Sequence, residues 1–372
     1  MSRPTAGIGV VIVERTASAG LVQQHDMSNP DPRRDDARLA DGLTRWLAAH
    51  RGMRGVVVDH LERPSVGYSA HTVLFRARWE DDGPVTEHLV LRMAPTVAGL
   101  FPDYDLGVQH AAQQAAAAAG VPTAAPLALE VDPAWLGAPF LVMPRVDGHI
   151  IGEAPAFDPW VDALEASGQA ELHEGFLAAL ARIHGAATGP AIAGGVPVRD
   201  DAAELAYWDE YLQWSSDGAP LAPLTEALDW CRSHAPVRTE RVPPVLCWGD
   251  VRLGNLVFGD DLRLHAVLDW DMTVIGAREH DLAWYTALTT TMTTLLGRSV
   301  EGFPDRDGTI GRYEATTGHA LHDFDWYEAF ALVRSTAIMT RIGLLARAAG
   351  EEPAMPIEDN PILDILRART TA

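Results

Sequence analysis

Strand patterns and helix patterns occupy separate parts of this chain. Three strand-like runs, 56–60, 72–79 and 87–93, lie in the first quarter. The second and third are joined by a short Asp-Asp-Gly-Pro turn, which predicts a hairpin. Helical spacing of apolar residues dominates from 170 to 349. This order predicts an α+β fold of two unequal lobes, an antiparallel sheet with a helix followed by a larger helical lobe.

The length of 372 residues also favours more than one lobe, because single cores stop growing well before this size. We expect residues 1–36 to form a poorly ordered tail, since they end in a polar run rich in proline and aspartate. Residues 37–145 then form the first lobe and residues 146–372 the second. Apolar spacing predicts helices over 37–50 and 106–119 in the first lobe.

The net charge of −22 limits the classes of partner. Nucleic acid and anionic membranes require a basic surface, so we expect neither as a partner. A cationic small molecule fits this charge, although many soluble proteins are simply acidic. There is no run of 18 apolar residues and no signal-peptide pattern, and the only cysteines are Cys231 and Cys247. These features predict a cytoplasmic protein without membrane spans or disulfides.

The chain contains no lysine, and all 29 basic residues are arginine. A lysine Schiff base cannot form, which excludes pyridoxal-type chemistry. A Walker-type phosphate loop is also excluded, because that motif requires its lysine. Any nucleotide site in this chain must therefore use arginine, backbone amides and a metal ion.

Residues 245–271 contain the densest group of chemically useful side chains. An apolar strand leads to Asp250, Asn255 opens the next strand, and Asp269 follows a tight hairpin. The three side chains can then converge. An Asn and an Asp supply the hard oxygen ligands that Mg²⁺ prefers, and a separate Asp can accept a proton from an attacking hydroxyl.

The stretches Trp-Gly-Asp-Val-Arg-Leu-Gly-Asn (248–255) and Leu-Asp-Trp-Asp (268–271) resemble the motifs of the aminoglycoside phosphotransferase family. That family has a protein-kinase-like fold and includes choline-kinase-like members. Over about 40–350 the chain is most similar to an actinobacterial group of phosphotransferases. Some of these resemble the kinase-like domain fused to certain acyl-CoA dehydrogenases. The resemblance implies an enzyme that uses ATP or GTP with Mg²⁺ to phosphorylate a hydroxyl of a small molecule.

The resemblance also implies roles for individual residues. Asp250 matches the catalytic base, and Arg252 lies where related kinases place a cation near the γ-phosphate. Arg92 lies where the third strand normally offers a lysine to the α- and β-phosphates. The other implied positions are Asn255, Asp269 and Asp271 for Mg²⁺; Ser65, Gly67 and Ser69 in a phosphate-covering loop; and Met143, Arg145 and Val146 in the hinge that holds the base.

The chain departs from the family pattern at three positions, and the changes at Arg92 and Gln109 favour a second hypothesis, a nucleotide- or ligand-binding module that has lost turnover. Trp248 replaces the usual His of the motif, where we expect a packing role. Arg92 stands in for lysine and is not interchangeable with it. The helix glutamate that would pair with the lysine aligns near Gln109, which cannot form an ion pair.

A third hypothesis, a glycoside hydrolase, also stays open from the residues alone. It would use Asp250 and Asp269 as its acid/base pair and would need no nucleotide, but it leaves Asn255 without a role. His184 ends a predicted helix, and its interaction with the helix dipole is a sufficient explanation. The acceptor, the choice between ATP and GTP and the oligomeric state are not specified by these patterns.

Overall fold

The computed structural model describes residues 35–63, 71–81, 83–95, 99–189, 192, 195–237 and 243–370. Within these residues a smaller lobe built on an antiparallel sheet precedes a larger helical lobe. The predicted α+β, two-lobed, protein-kinase-like fold is confirmed. The expected tail lies almost wholly outside the described residues.

The sheet lobe contains five strands in the order β1-β2-β3-β5-β4, and all neighbours are antiparallel. The β2–β3 hairpin is the longest pair and contains the predicted Asp-Asp-Gly-Pro turn. Backbone pairing continues past the alternating apolar residues, so the strands are longer than predicted. Their bounds are Arg54–Glu62 (β1), His71–Asp81 (β2), Gly83–Met93 (β3), Ala128–Glu130 (β4) and Phe140–Pro144 (β5).

Helix α1 (Asp36–Arg51) covers one face of this sheet. Its buried residues Leu39, Leu43 and Trp46 recur every three or four positions, which places them on one stripe. The Asp35 side chain caps the helix start by accepting two backbone N–H groups. Helix α1 therefore begins one residue before the predicted helix start at residue 37.

The opposite face of the sheet faces the helical lobe. Helix α2 (Leu106–Ala118) packs there, and Leu106 joins Leu141 and Met143 of β5 in a small apolar cluster. Leu268, from the helical lobe, also packs against this cluster. This face of the sheet therefore borders the region between the two lobes, which we call the cleft.

The helical lobe has one large core. Five of its helices match the predicted segments within a few residues, whereas Arg306–Thr317 and Pro361–Thr370 were not predicted. The first of these buries only Thr309 and Tyr313, so its sequence has almost no apolar stripe. The helices are Pro159–Asp162 (α3), Ala166–His184 (α4), Asp201–Ser215 (α5), Ala222–Ser233 (α6), Glu279–Leu296 (α7), Arg306–Thr317 (α8), Phe324–Ala348 (α9) and Pro361–Thr370 (α10).

Helix α9 is the one helix among the described residues with the length and hydropathy of a membrane span. In its most apolar window, 61% of the residues are buried inside the protein. Its side chains form much of the helical core, including Tyr327 and Phe330. The central helix of a lobe has these same properties.

Short strands embedded in the helical lobe carry the predicted motif. Strands β8 and β9 form the expected hairpin, with Leu256 opposite Val267. A further pair, β7 with β10, was only half predicted, because three buried residues give too little periodicity. The strands are His149–Ile150 (β6), Val245–Cys247 (β7), Leu256–Phe258 (β8), Leu264–Val267 (β9) and Val274–Gly276 (β10).

Candidate active site

Asp250 lies on a tight turn that follows β7. Gly249 makes this turn possible because its φ is +94° and a Cβ there would lie 2.3 Å from the Met272 carbonyl oxygen. The buried carboxylate of Asp281 accepts the backbone N–H groups of Trp248 at 2.7 Å and Gly249 at 2.9 Å. Asp281 therefore fixes the backbone that presents Asp250.

Three donors hold the Asp250 carboxylate. Its Oδ2 atom accepts hydrogen bonds from Asn255 Nδ2 at 2.7 Å and Arg252 Nε at 2.8 Å. Its Oδ1 atom accepts one from the indole N–H of Trp284 at 3.1 Å. Because Oδ2 has two donors and Oδ1 only one, Oδ1 is the oxygen with room for a further hydrogen bond.

Burial raises the pKa of Asp250, and the neighbouring charge of Asp269 adds to this rise. The positive charge and hydrogen bond of Arg252 act in the opposite direction but do not cancel it. A carboxylate that is more basic than usual suits the acceptance of a proton.

Asn255 and Asp269 are brought together by the β8–β9 hairpin. Asn255 ends the short 3₁₀ turn Leu253–Asn255, and its carbonyl oxygen accepts the Leu268 N–H at 2.8 Å. Asp269 follows immediately with a φ of +56°, which turns its side chain out of the strand direction. The hairpin pairing therefore sets Asn255 beside the start of the Asp269 turn.

These two side chains fit a magnesium ion by their chemistry. The Asn255 amide nitrogen donates to Asp250, and among the described residues its Oδ1 atom receives no donor. The Asp269 carboxylate is partly exposed, with Arg92 at 3.5 Å. An amide oxygen and a carboxylate that face a cleft are ligands of the kind Mg²⁺ takes from proteins.

Trp248 does more than the packing role that we expected from its sequence. It is almost completely buried, and its indole N–H is shared between the carbonyl oxygens of Leu268 and Asp269, each at 2.9 Å. It therefore ties the Asp250 turn to the Asp269 turn.

Arg92 reaches this site from β3 of the sheet lobe. Its terminal nitrogen donates to Asp271 Oδ1 at 2.6 Å and to the Tyr104 hydroxyl at 2.8 Å. The Tyr104 hydroxyl donates in turn to Asp271 Oδ2 at 2.5 Å. Burial alone would lower the pKa of Arg92, but the charges of Asp271 and Asp269 more than offset it and raise that pKa.

These contacts separate the two acidic positions of the Leu-Asp-Trp-Asp motif. Both oxygens of Asp271 accept hydrogen bonds from the Arg92 and Tyr104 pair, and its side chain is only 4% exposed. The Asp269 side chain is 27% exposed. Asp269 is thus better placed for a metal than Asp271, whose assignment as a metal ligand stays a prediction.

Arg252 is held by carboxylates on both sides. Besides Asp250, its guanidinium contacts Glu153, which follows β6 and is largely exposed. The predicted γ-phosphate contact would require this guanidinium to face the cleft. Exposure of a third of its side chain is compatible with that role.

The predicted hinge lies at the end of β5. Met143 is buried beside Val90 and Leu268, and Val146 borders the same apolar cluster. Pro144 has no N–H, and the Arg145 N–H donates to the His88 carbonyl oxygen at 2.9 Å.

The hinge thus leaves few backbone donors for a ligand. Within the ranges that the structure covers, no protein acceptor receives the Val146 N–H. Arg145 directs its side chain to Asp147. Of the three predicted hinge residues, Val146 can donate to a base, and Met143 can pack against it. Residues Ser65, Gly67 and Ser69 of the predicted phosphate-covering loop lie outside the described residues.

Several contributors were not predicted from the sequence. His184 Nε2 lies 3.0 Å from Asp281 Oδ2, and His184 Nδ1 lies 2.5 Å from the Tyr313 hydroxyl. His184 thus supports the residue that clamps the Asp250 turn, in addition to lying at a helix end. Neither Asp281 nor Trp284 was predicted as a site residue. Their spacing of three on α7 puts them on one face, a signal that could have linked them.

Comparison with known proteins places the chain in a family. The model of the "Phosphotransferase enzyme family" matches residues 60–319, which is well over half of the chain. The chain belongs to this family. The match includes the three central residues Asp250, Asn255 and Asp269, and it confirms the resemblance noted in the sequence.

Solved structures with the same fold are phosphotransferases of small molecules. A Ralstonia eutropha protein, described as a candidate aminoglycoside phosphotransferase, is 20% identical; the match covers 89% of this chain and 98% of that one, with a TM-score of 0.67. A spectinomycin phosphotransferase with ADP and spectinomycin is 11% identical over 90% and 99% of the chains, with a TM-score of 0.54. An aminoglycoside phosphotransferase with GDP and kanamycin is 16% identical over 88% and 98%, with a TM-score of 0.52. At these identities the likeness shows the fold.

A curated relative extends the comparison to a larger protein. The probable acyl-CoA dehydrogenase IBR3 of Arabidopsis thaliana is 24% identical over 242 residues. The match covers 60% of this phosphotransferase-family chain but only 29% of that protein. The chain therefore corresponds to less than a third of its curated relative.

Proposed function

We propose that this protein is a small-molecule kinase that transfers the γ-phosphoryl group of ATP or GTP to a hydroxyl group, with Mg²⁺ as cofactor. The observation that carries the proposal is the convergence of Asp250, from the turn after β7, with Asn255 and Asp269 of the β8–β9 hairpin, while Arg92 approaches from the sheet lobe. A base, a pair of oxygen ligands and a phosphate-binding cation are the parts that phosphoryl transfer requires.

Each residue has a task in this proposal. The acceptor hydroxyl binds Asp250 at Oδ1 and gives its proton to this carboxylate as its oxygen attacks the γ-phosphorus. The bond from the γ-phosphorus to the β–γ bridging oxygen breaks, and ADP or GDP leaves. Asn255 and Asp269 would hold Mg²⁺, which neutralises charge on the transferred group when it is bound. Arg92 would orient the α- and β-phosphates, and Arg252 would position the γ-phosphate. Most of the rate gain then comes from positioning and electrostatics.

The nucleotide base would bind at the end of β5, against the face of the sheet that borders the cleft. Val146 offers its N–H, and Met143 offers an apolar surface beside Val90 and Leu268. ADP and GDP in the similar structures support a nucleotide donor, and they leave the choice between ATP and GTP open.

For the acceptor we propose a small molecule with a free hydroxyl, and a cationic one fits the net charge of −22. Kanamycin and spectinomycin in the similar structures support this class.

Both cysteines are buried free thiols, which suits the reducing cytoplasm that we propose as the compartment. The hydrolase hypothesis is not favoured, because it gives no role to Asn255.

One observation keeps the inactive binding module as a second candidate. Arg92 pairs with Asp271 and Tyr104 instead of a carboxylate on α2, so the usual phosphate-positioning couple is altered. A module without turnover would still bind nucleotide and metal. Turnover, and not binding, therefore separates the two candidates.

The experiment measures metal-dependent release of ADP or GDP with aminoglycosides, other amino alcohols, sugars and hydroxyacyl compounds as acceptors. We expect Asp250→Asn to lower kcat by about 10²- to 10⁴-fold, the usual contribution of a general base. Asp260→Asn, at a largely exposed aspartate on the β8–β9 turn, is the matched control. Full activity in Asp250→Asn would contradict the proposal. Nucleotide binding without turnover for any acceptor would favour the binding module.

A further inference from the structure

Tyr104 occupies a position between Arg92 and Asp271, and no role for it was expected from the sequence. It lies one residue before Asp105, the residue that caps helix α2. Its hydroxyl accepts a hydrogen bond from Arg92 at 2.8 Å and donates one to Asp271 at 2.5 Å. Since Arg92 also donates to Asp271 at 2.6 Å, the three side chains form a closed ring of hydrogen bonds.

Gln109, which aligns with the usual helix glutamate, takes no part in this ring. It is 3% exposed, and its amide oxygen has no hydrogen-bond partner in the part of the chain that the structure describes. The orienting contact to Arg92 therefore comes from the residues just before α2, and not from the helix itself.

A tyrosine suits this position better than a carboxylate on grounds of charge. Arg92 already lies beside Asp271 and Asp269, so one positive charge faces two negative ones. A third carboxylate would increase the repulsion of nucleotide phosphates. A neutral hydroxyl orients the guanidinium without adding charge.

The segment 99–105 that carries Tyr104 is attached to the helical lobe. The Gly99 carbonyl oxygen accepts the Arg341 Nε–H at 3.1 Å, and the Leu100 carbonyl oxygen accepts the Tyr211 hydroxyl at 3.0 Å. The Phe101 side chain is part of the helical core. Tyr104 is thus fixed from the helical lobe, while the guanidinium it orients comes from β3 of the sheet lobe.

We propose that Tyr104 is a positioning residue for the nucleotide phosphates, which acts by holding the Arg92 guanidinium in place of the helix glutamate. The inference rests on the proposed function, because it requires that Arg92 meets phosphate. It predicts that the Tyr104 hydroxyl affects ligands with phosphates and not the nucleoside alone.

The test is calorimetric binding of adenosine, ADP and GDP, each with Mg²⁺, to wild type, Tyr104→Phe and the control Tyr207→Phe, which alters a half-buried tyrosine of α5. We expect Tyr104→Phe to weaken ADP binding about tenfold, as for loss of a hydrogen bond to a charged group, and to leave adenosine binding unchanged. In an Arg92→Met background the same change should have no further effect on ADP, since the two residues act as a unit.

The possible failures are distinguishable. If neither wild type nor Tyr207→Phe binds ADP, GDP or adenosine, the proposed function fails and the inference fails with it. If both bind ADP and Tyr104→Phe binds it equally well, only the inference is wrong. Equal losses for adenosine and ADP would indicate a general structural role and would also overturn it.

Discussion

The Asp250 side and the Arg92 side of the site are built in different ways. Asp250 is held within the helical lobe, by a turn whose backbone Asp281 fixes and by the side chains of Asn255 and Trp284. Arg92 instead comes from the sheet lobe and is held by Asp271 of the helical lobe.

This difference predicts different sensitivities. The catalytic base Asp250 is held in place independently of the sheet lobe, because every group that holds it belongs to the helical lobe. The position of the phosphate-binding arginine, Arg92, depends on contacts between the two lobes. Such contacts open more readily than a core does.

Removal of the Asp281 side chain should have the largest effect. Asp281→Ala would leave the buried N–H groups of Trp248 and Gly249 without an acceptor, and it would remove the contact to His184 Nε2. We expect a loss of about 3–5 kcal/mol in the free energy of unfolding, measured with denaturant. Asp260→Ala, which removes a largely exposed carboxylate, should change it by less than about 0.5 kcal/mol. A similar loss in both variants would show that Asp281 is not a special support.

His173 should make the helical lobe sensitive to acid. Its side chain is fully buried, and among the described residues neither ring nitrogen has a hydrogen-bond partner. Burial, with a smaller contribution from the charge of Arg312, lowers its pKa to about 3 from an ordinary 6.5. Between these values the unfolded chain binds the proton and the folded chain does not, so stability falls as the pH decreases from 6.5 towards 3.

We expect His173 to cost about 3 kcal/mol of stability between pH 7 and pH 4, since one pKa unit corresponds to about 1.4 kcal/mol. Denaturant unfolding at a series of pH values in wild type and His173→Leu measures this difference. The variant should lack that part of the pH dependence, whereas His319→Leu, at an exposed histidine, should retain it. Parallel pH profiles in all three proteins would contradict the prediction.

The smallest of these effects concerns Trp284, whose indole N–H donates to the catalytic base Asp250. Trp284→Phe keeps an aromatic ring beside the Arg334 guanidinium, which lies 5.1 Å from the indole centroid, but removes the hydrogen bond to Asp250. We expect kcat to fall about tenfold with nucleotide affinity unchanged, since a hydrogen bond to a charged group is worth about 1.5–3 kcal/mol. Trp230→Phe, on α6, should leave kcat unchanged. Weaker nucleotide binding in Trp284→Phe would mean that the two sides of the site are not separate.

The same division explains what could be predicted from the sequence. Asp250 contacts Arg252 and Asn255, which are two and five residues away, so a short motif contains most of that side. The ring of Arg92, Tyr104 and Asp271 joins residues 179 and 167 positions apart, and no local pattern reports such pairs.

Among the helices and strands, too, those with a clear local sequence pattern were the ones that could be predicted. Helices with a clear apolar stripe, such as α1 and α4, were predicted within a few residues. Helix α8 was missed because its exposed face dominates its sequence, and β10 because three buried residues carry no period. Trp248 was predicted to pack, but its hydrogen bonds to two carbonyl oxygens depend on a hairpin that only the folded chain brings near.

We propose that Arg92, on the sheet-lobe side of the cleft, holds the nucleotide phosphates, and that Asp250, on the helical-lobe side, is the catalytic base. The most direct test is calorimetric measurement of the affinity for ATP and GTP, each with Mg²⁺, in wild type, Arg92→Met and Asp250→Asn. We expect Arg92→Met to weaken nucleotide binding at least about tenfold and Asp250→Asn to change it by less than about twofold. Equal losses in the two variants, or no loss in Arg92→Met, would contradict it.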